Sequence, residues 1–321
     1  MRVLIKQSDS LTTPDLRSNI LAMQTKSSNK LNIAIIGTGN IGTDLMIKVM
    51  RSEHMTCTLF AGRNFNSAGM KRANALGVPI SDRGIEAIVN DPDICDVIFD
   101  CTSAQAHAEH WAILEKLGKT VIDMTPAKLG ELCVPAINAA ECLATGARNI
   151  NMITCGGQSS IPIGYALSQV HKDIDYIEVA SSIASRSAGP ATRHNLDEYI
   201  ETTQEALRTF SGAKRTKAIL ILNPAHPPID MQTTIYAKIS NPDLHAIRAS
   251  VSAMVEKLKL YVPGYQLVVP PTVDGGKVIT TIKVLGAGDY LPQYAGNLDI
   301  INCAAIAMAE LIAKSGTFRK A

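Results

Sequence analysis

Apolar residues come in short continuous runs over the first half of the chain and more often in alternation over the second. Leu31 to Gly37 (LNIAIIG) is such a run, rich in β-branched residues and ended by glycine. That is the pattern of a strand buried on both faces of a parallel sheet. Asp44 to Arg51 follows, with Leu45, Met46 and Val49 at helical spacing. The cycle then repeats. Strands are predicted at Met55 to Ala61, Ile94 to Phe99 and Thr120 to Asp123; helices at Ser67 to Leu76, around Ala87 to Val89, and at Ala104 to Leu117. Strand and helix alternating over about 120 residues predict right-handed crossovers and a doubly wound parallel sheet.

The pattern changes after Cys155. Tyr176 to Ile183, Ala218 to Leu222, Thr233 to Ile239, Gln266 to Val269 and Lys277 to Val284 read as strands. Helical stretches lie at Asn195 to Thr209 and Pro242 to Leu260. Strands without regular crossovers predict a mixed-sheet, α+β second domain. Leu298 to Ala313 is a long Ala-rich helix, expected to pack back on the first domain. The division read from these patterns is an N-terminal extension over 1–30, a first domain over 31–154 with the helix 297–315 returning to it, and a second domain over 155–296.

A length of 321 residues agrees with two domains. With 46% hydrophobic and 19% charged residues, disorder, collagen and coiled coil are excluded. The formal charge of +2 supplies no electrostatic reason to expect nucleic acid or an anionic membrane as partner. No uninterrupted apolar run approaches the roughly 18 residues of a membrane span. Seven scattered cysteines without a CxxC pair or zinc spacing read as reduced thiols in a cytoplasmic protein. The Ser-, Thr- and Lys-rich stretch 1–30 lacks the apolar core of a secretory signal, and Asp9 and Asp15 argue against an organellar transit peptide. A mobile tail with one amphipathic turn is the better reading.

Gly37-Thr38-Gly39-Asn40-Ile41-Gly42 is GxGxxG, placed between a predicted strand and a predicted helix. In that context each glycine has a mechanical reason: the tight turn, close approach of a pyrophosphate, and packing of helix on strand. The helix N-terminus adds free N–H groups and a positive dipole end. The first domain is therefore read as a Rossmann domain that binds NAD. An acidic residue is expected at the end of the second strand to hold the ribose hydroxyls, but Arg63 stands there. Arg63 either meets a 2′-phosphate, which would make the cofactor NADP, or stacks on adenine or faces solvent.

Cys155 stands apart in TCGGQSSIP. It follows the strand-like Ile150 to Ile153 and precedes a helix expected from about Ile161 to Val170, with Pro162 in its first turn and Ser159 or Ser160 as N-cap. The dipole there would favour a thiolate, and bare N–H groups at Gly156 and Gly157 would serve an oxyanion. The other six cysteines read as inert packing. His107 and His110 read as surface or capping residues, and His194 as a surface residue.

The stretches AIIGTGNIGTDLMIKVMR, IFDCTSAQAH, VIDMTPAKLG, NMITCGGQSSIP, SRSAGPATRHNLDEYIETT, LNPAHPPI, YVPGY and YLPQYAGNLDI resemble the acylating acetaldehyde dehydrogenases of aromatic meta-cleavage pathways. The resemblance runs in order from about residue 32 to 313 and implies a glyceraldehyde-phosphate-dehydrogenase-like architecture. It implies Cys155 as the acylated cysteine, NAD as hydride acceptor and coenzyme A as acyl acceptor. It also implies a homodimer or larger assembly and a 4-hydroxy-2-oxovalerate aldolase partner. Thr38 to Ile41 match the pyrophosphate turn. Ser187, Ala188, Gly189, Pro190, Ala191, Thr192, Arg193, His194 and Asn195 match further NAD contacts, as does Asn297, which is also open to reading as a plain helix cap.

The chain departs from the family pattern at Arg63, at Ala191 within SAGPATR, and at Gln232-Thr233, where many members carry an Arg-Asp pair before a threonine. The missing carboxylate leaves the general base unassigned. Two alternatives stay open: the same chemistry on another semialdehyde or acyl thioester, and a non-catalytic nucleotide-binding partner subunit.

Overall fold

The computed structural model describes residues 30–316, so the expected tail over 1–30 lies, Lys30 apart, outside the described residues. Strands β1 (Leu31–Ile36), β2 (Met55–Ala61), β3 (Ile80–Ser81), β4 (Val97–Asp100), β5 (Thr120–Asp123), β6 (Glu131–Leu132) and β7 (Asn149–Asn151) form one sheet. Its order is β3-β2-β1-β4-β5-β7-β6, parallel throughout. Helices α1 (Asn40–Arg51), α2 (Ala68–Ala75), α3 (Glu86–Asn90), α4 (Ala104–Leu114) and α5 (Pro135–Ala144) belong to the same half.

The unbroken apolar run of β1 has a direct cause. Ile33 and Ile35 enter one hydrophobic cluster while Ala34 and Ile36 enter another, so both faces of the strand are covered. The strand order reverses between β1 and β4, and the chain leaves these two strands at Gly37 and Cys101. A crevice at such a switch point is where open α/β sheets bind ligands.

The second half comprises α6 (Cys155–Val170), β8 (Ile174–Ala184), α7 (Pro190–His194), α8 (Leu196–Ser211), β9 (Thr216–Asn223), β10 (Met231–Ile239), α9 (Leu244–Lys259), β11 (Tyr265–Asp274), β12 (Lys277–Val284) and α10 (Gly296–Ser315). The sheet order is β11-β12-β10-β8-β9, antiparallel except for the β8–β9 pair. Along β10, Met231, Thr233, Ile235, Ala237 and Ile239 are buried while Gln232 and Lys238 are exposed. One face of this sheet is thus covered, and α6, α8 and α9 contact its strands.

By length and composition α10 could cross a membrane, yet it is mostly buried, packed on α1, α5 and α6. Its polar residues explain the docking on α1. Lys48 reaches Asp44 at 2.8 Å, Asp299 at 2.8 Å and Asp289 at 3.1 Å, and Asn302 Nδ2 donates to Asp44 Oδ2 at 2.8 Å. This network ties the helix after the glycine turn to the helix that carries Asn297.

Candidate active site

The glycine turn is shaped by contact. Gly37 has φ 103°, and a Cβ there would lie 2.5 Å from the Cys101 carbonyl oxygen. A Cβ on Gly42 would lie 1.9 Å from the Gly37 carbonyl oxygen, so the third glycine lets α1 close on the turn. Gly39 faces open space and supplies α1 with an N-cap that has no side chain. The first N–H groups of α1 are therefore accessible to an anion. Gly37, Thr38, Gly39 and Arg63 line a cleft of about 650 Å³, with Arg83, Glu109 and His110 along its walls. Asn40 is exposed and Gly42 buried beneath the turn.

Behind this cleft lies a smaller cavity of about 90 Å³, lined by Cys155, Tyr199, Thr125, Asn195, Leu298 and others. Cys101 and Thr102 line both spaces, and Ile41 of the glycine motif lines the inner one. The space over the turn after β1 and the cavity at Cys155 are thus neighbours. Cys101 packs against the main core, and burial with the charges of Asp100 and Asp123 pushes its thiol well up, as an inert packing residue would have it; it is also partly exposed at the switch point, where it leaves β4 beside Gly37.

The Cys155 turn differs from expectation. α6 begins at Cys155, not near Ile161, and Thr154 is its N-cap, its Oγ1 accepting from Gly157 N at 2.8 Å. Ser159 and Ser160 cap nothing. They sit inside the helix and donate to the Gly156 carbonyl at 2.9 and 2.7 Å, while Pro162 lies in the helix interior. The paired glycines and the proline hid the helix, whose first turns are held by packing: a Cβ on Gly156 would lie 2.1 Å from Tyr199 Oη. Because Gly157 N is taken by the cap, the backbone donors that reach the sulfur are the amides of Cys155 and Gly156.

Ile153 precedes the cap with φ 64°, a costly conformation for a β-branched residue. Asn151 Oδ1 accepts its N–H at 2.8 Å and holds the turn. Cys155 is 8% exposed, its Sγ 3.6 Å from Tyr199 Oη. The expected thiolate is opposed by burial, which pushes the thiol up; hydrogen bonds from Tyr199 and from the amides of Gly156 and Cys155 pull the other way. Burial and the neighbouring sulfur also push the Tyr199 phenol far up, so it stays a neutral donor.

Among the described side chains of the 187–195 segment, Thr192 and Asn195 line the inner cavity. Ser187 Oγ donates to the Ala184 carbonyl, and Arg193 binds the Ala188 carbonyl and Ser185 within its own segment. Ala188 is buried, Gly189 half-buried and Pro190 exposed; Ala191 lies in α7. His194 is exposed, as expected. Asn297 does not cap α10, which starts one residue earlier with Ala295 as N-cap. It is 1% exposed, and both amide atoms lack a hydrogen-bond partner among the described residues. A buried primary amide in that state fits a carboxamide-bearing cofactor end. Thr233 is buried against Ser159 and Ser181, and Gln232 is exposed, so neither supplies an acid to the site.

The reading of His107 and His110 fails. His107 is fully buried, with Nδ1 3.0 Å from Asp100 and Nε2 3.4 Å from Asp123, and His110 Nδ1 lies 2.8 Å from Asp100. Burial opposes charge here, but the hydrogen bonds from His107, His110 and Thr102 outweigh it and hold Asp100 below the usual carboxylate range. The bond to Asp100 and the charges of both carboxylates likewise outweigh burial and raise His107. For Asp123 burial wins and pushes the carboxyl up to about 6. Helical spacing in the sequence shows that His107 and His110 share a face, but not that two strand-end carboxylates meet them.

Residues 32–144 match the semialdehyde dehydrogenase NAD-binding domain, and residues 155–292 match the prokaryotic acetaldehyde dehydrogenase dimerisation domain. The first domain thus binds a nicotinamide dinucleotide, and the second is of a kind that mediates oligomerisation. The chain is 74% identical over 288 residues to an acetaldehyde dehydrogenase of Pectobacterium atrosepticum, covering 90% of this chain and 97% of the relative. It is 54% identical to the acetaldehyde dehydrogenase of Spirochaeta aurantia, covering 90% and 97%. In fold it resembles the aspartate semialdehyde dehydrogenase of Candida albicans solved with NADP (TM-score 0.61, 12% identity, 90% of this chain and 100% of that one). An aspartate semialdehyde dehydrogenase II of Vibrio cholerae is similar in the same way (TM-score 0.57, 14% identity, 89% and 99%). With such identity along nine-tenths of its length, the chain belongs to the acetaldehyde dehydrogenase family, oxidoreductases that act on aldehydes.

Proposed function

We propose that this protein oxidises acetaldehyde or a similarly short aldehyde to an acyl-coenzyme A, through a thioester on Cys155. The observation that carries the reading is the shared wall of Cys101 and Thr102, which joins the glycine-turn cleft to the cavity at Cys155. Cys155 Sγ adds to the aldehyde carbon, with the Tyr199 hydroxyl and the first amides of α6 beside the sulfur. Positioning and donors to the developing oxyanion, each worth a few kcal/mol, lower the barrier. Asn297, whose buried amide is unpartnered and which adjoins the cavity-lining Leu298, would hold the carboxamide of a nicotinamide, which when bound would supply the hydride acceptor. Expulsion of hydride from the adduct carbon restores the carbonyl and leaves the acyl group on Sγ. The coenzyme A thiolate then attacks that carbonyl and releases Cys155.

An inner cavity of about 90 Å³ walled by Ile41, Met124, Pro126, Ile153, Leu298 and Ile301 favours a short apolar aldehyde. Family membership supports coenzyme A as the acceptor and NAD as the cofactor. A second reading of the cofactor, NADP, is favoured by Arg63 and Arg83 on the walls of the outer cleft.

Cys155→Ala should abolish aldehyde oxidation and leave dinucleotide binding intact. In the parent, aldehyde and oxidised cofactor without coenzyme A should leave an acyl adduct on the Cys155 peptide, read by mass spectrometry. Turnover in Cys155→Ala, or an adduct on another residue, refutes the assignment.

A further inference from the structure

The last residues of β4, β5 and β7 are Asp100, Asp123 and Asn151, and all three are fully buried. Asp123 Oδ1 accepts from Thr125 N at 2.7 Å, and Asp123 Oδ2 accepts from Asn151 Nδ2 at 2.7 Å. The Thr125 hydroxyl binds the same carboxyl. Asn151 Nδ2 also donates to the Thr125 carbonyl at 2.9 Å, while Asn151 Oδ1 accepts from Ile153 N at 2.8 Å. With two acceptors on one side and one donor on the other, the Asn151 amide has a single satisfiable orientation.

These bonds end at the turn before the nucleophile. Ile153 takes φ 64°, which a β-branched residue keeps only where its surroundings hold it. Its side chain packs on the first turn of α6: a Cβ on Gly157 would lie 2.7 Å from Ile153 Cγ2. Ile153, Thr154 and Cys155 line the inner cavity, as do Met124 and Pro126 of the loop after β5. One carboxylate and one amide therefore clamp two loops of the cavity together. Neither reaches the sulfur, whose partners are Tyr199 and the amides of Cys155 and Gly156.

We propose that Asn151, oriented by Asp123, is a positioning residue for the nucleophile: by holding the turn at Ile153 it sets where Cys155 and the first amides of α6 stand relative to the substrate. The proposal rests on Cys155 as nucleophile and deepens that reading. An amide suits the task and an ionised carboxylate does not, because the group must donate on one side and accept on the other. The titratable groups facing the Asp123 carboxyl are His107 of α4, 3.4 Å away, and Asp100 and Cys101 where β4 ends. Burial outweighs the His107 charge and the Thr125 hydrogen bonds and pushes Asp123 up to about 6. Above that value it is the charged acceptor that the Asn151 N–H meets.

The test compares Asn151→Ala, the isosteric Asn151→Asp and Cys155→Ala in the full-length protein. Readouts are steady-state rates with acetaldehyde along a pH series and dinucleotide affinity by fluorescence titration, each per folded protein and beside the parent at the same pH. Asn151→Ala should lower kcat about 100-fold, the cost of displacing a reacting group by about 1 Å. Dinucleotide affinity should stay parental, because the glycine turn leaves β1, which carries no part of the clamp. In Asn151→Asp the acceptor for Ile153 survives, but two carboxyls face each other and only a proton shared between them returns the lost donor. Its rate relative to the parent should be low at about pH 8 and rise about ten-fold or more toward about pH 6. A merely structural role would change the folded fraction and leave that ratio flat. Parental kcat in Asn151→Ala overturns the proposal, as does a loss matched by an equal loss of dinucleotide affinity. If Asn151→Ala does not fold, Asn151→Asp decides alone, and a ratio that is flat with pH overturns the proposal. An active Cys155→Ala overturns the nucleophile reading itself; an inactive Cys155→Ala beside a fully active Asn151→Ala overturns only the role of Asn151.

Discussion

Cys155 Sγ and Tyr199 Oη lie 3.6 Å apart, in a place where burial works against a charged sulfur. Tyr199, from the first turn of α8, thus supports a thiolate that the N-terminus of α6 has to favour against desolvation. The two helices bring together a thiol and a phenol 44 positions apart in the chain.

Removing the phenol should make the thiol harder to ionise. A hydrogen bond to a charged group contributes about 1.5–3 kcal/mol, and one pKa unit corresponds to about 1.4 kcal/mol. Tyr199→Phe should therefore move the alkylation midpoint of Cys155 upward by about one unit or more, with about ten-fold slower alkylation at neutral pH. The rate of iodoacetamide labelling against pH measures this directly; an unchanged midpoint would remove Tyr199 from the site.

The Asp100–His107 pair predicts a pH-dependent stability. The folded-state value of His107 is raised above its ordinary 6.5, so its contribution is complete below that value and is lost as pH rises through the raised one. Asp100 is lowered, so its contribution is present above 3.8 and is lost as pH falls below it. Breaking a buried pair costs about 3–5 kcal/mol, so His107→Gln should destabilise by roughly that amount below 6.5 and by progressively less as pH is raised above it. Denaturant midpoints of parent and variant along a pH series rising from about 6 decide it.

Asn297 carries a buried amide without partners among the described residues, a group that costs about 1–3 kcal/mol when left unpaired. Asn297→Leu should leave the melting temperature of the ligand-free protein unchanged or higher while weakening dinucleotide binding about ten-fold or more. A variant that melts early and binds normally would refute the assignment.

Arg63 is exposed on the wall of the outer cleft. If it meets a 2′-phosphate, Arg63→Ser should weaken NADP about ten-fold or more, since a charge-assisted bond contributes about 1.5–3 kcal/mol, and leave NAD untouched. Equal KM values for NADP in parent and variant would leave NAD as the cofactor and Arg63 as a solvent-facing residue.

Much of the molecule is legible from local pattern. β2, β5 and β12 occupy the predicted residues, because their apolar runs are set by sheet faces that are themselves covered. The glycine turn is equally local: Gly37 needs its positive φ and Gly42 its missing Cβ within a few residues of chain. Where local preference and packing disagree, the sequence misleads. Gly156, Gly157 and Pro162 are poor helix formers, yet α6 starts at Cys155 because Thr154 caps it and its first turn packs against Tyr199.

By itself the sequence determined the two-part architecture, the nucleotide turn and the choice of Cys155 as the candidate nucleophile, since each depends on residue types at short spacing. Only the tertiary structure decided the charge environment of that cysteine. Tyr199, the Asp123–Asn151 clamp and the buried His107 come from separate elements, and their meeting is set by sheet order and helix docking. The physical reason is range: turn geometry and binary pattern act over a few residues, whereas desolvation and hydrogen-bond completion depend on every element that closes around the site.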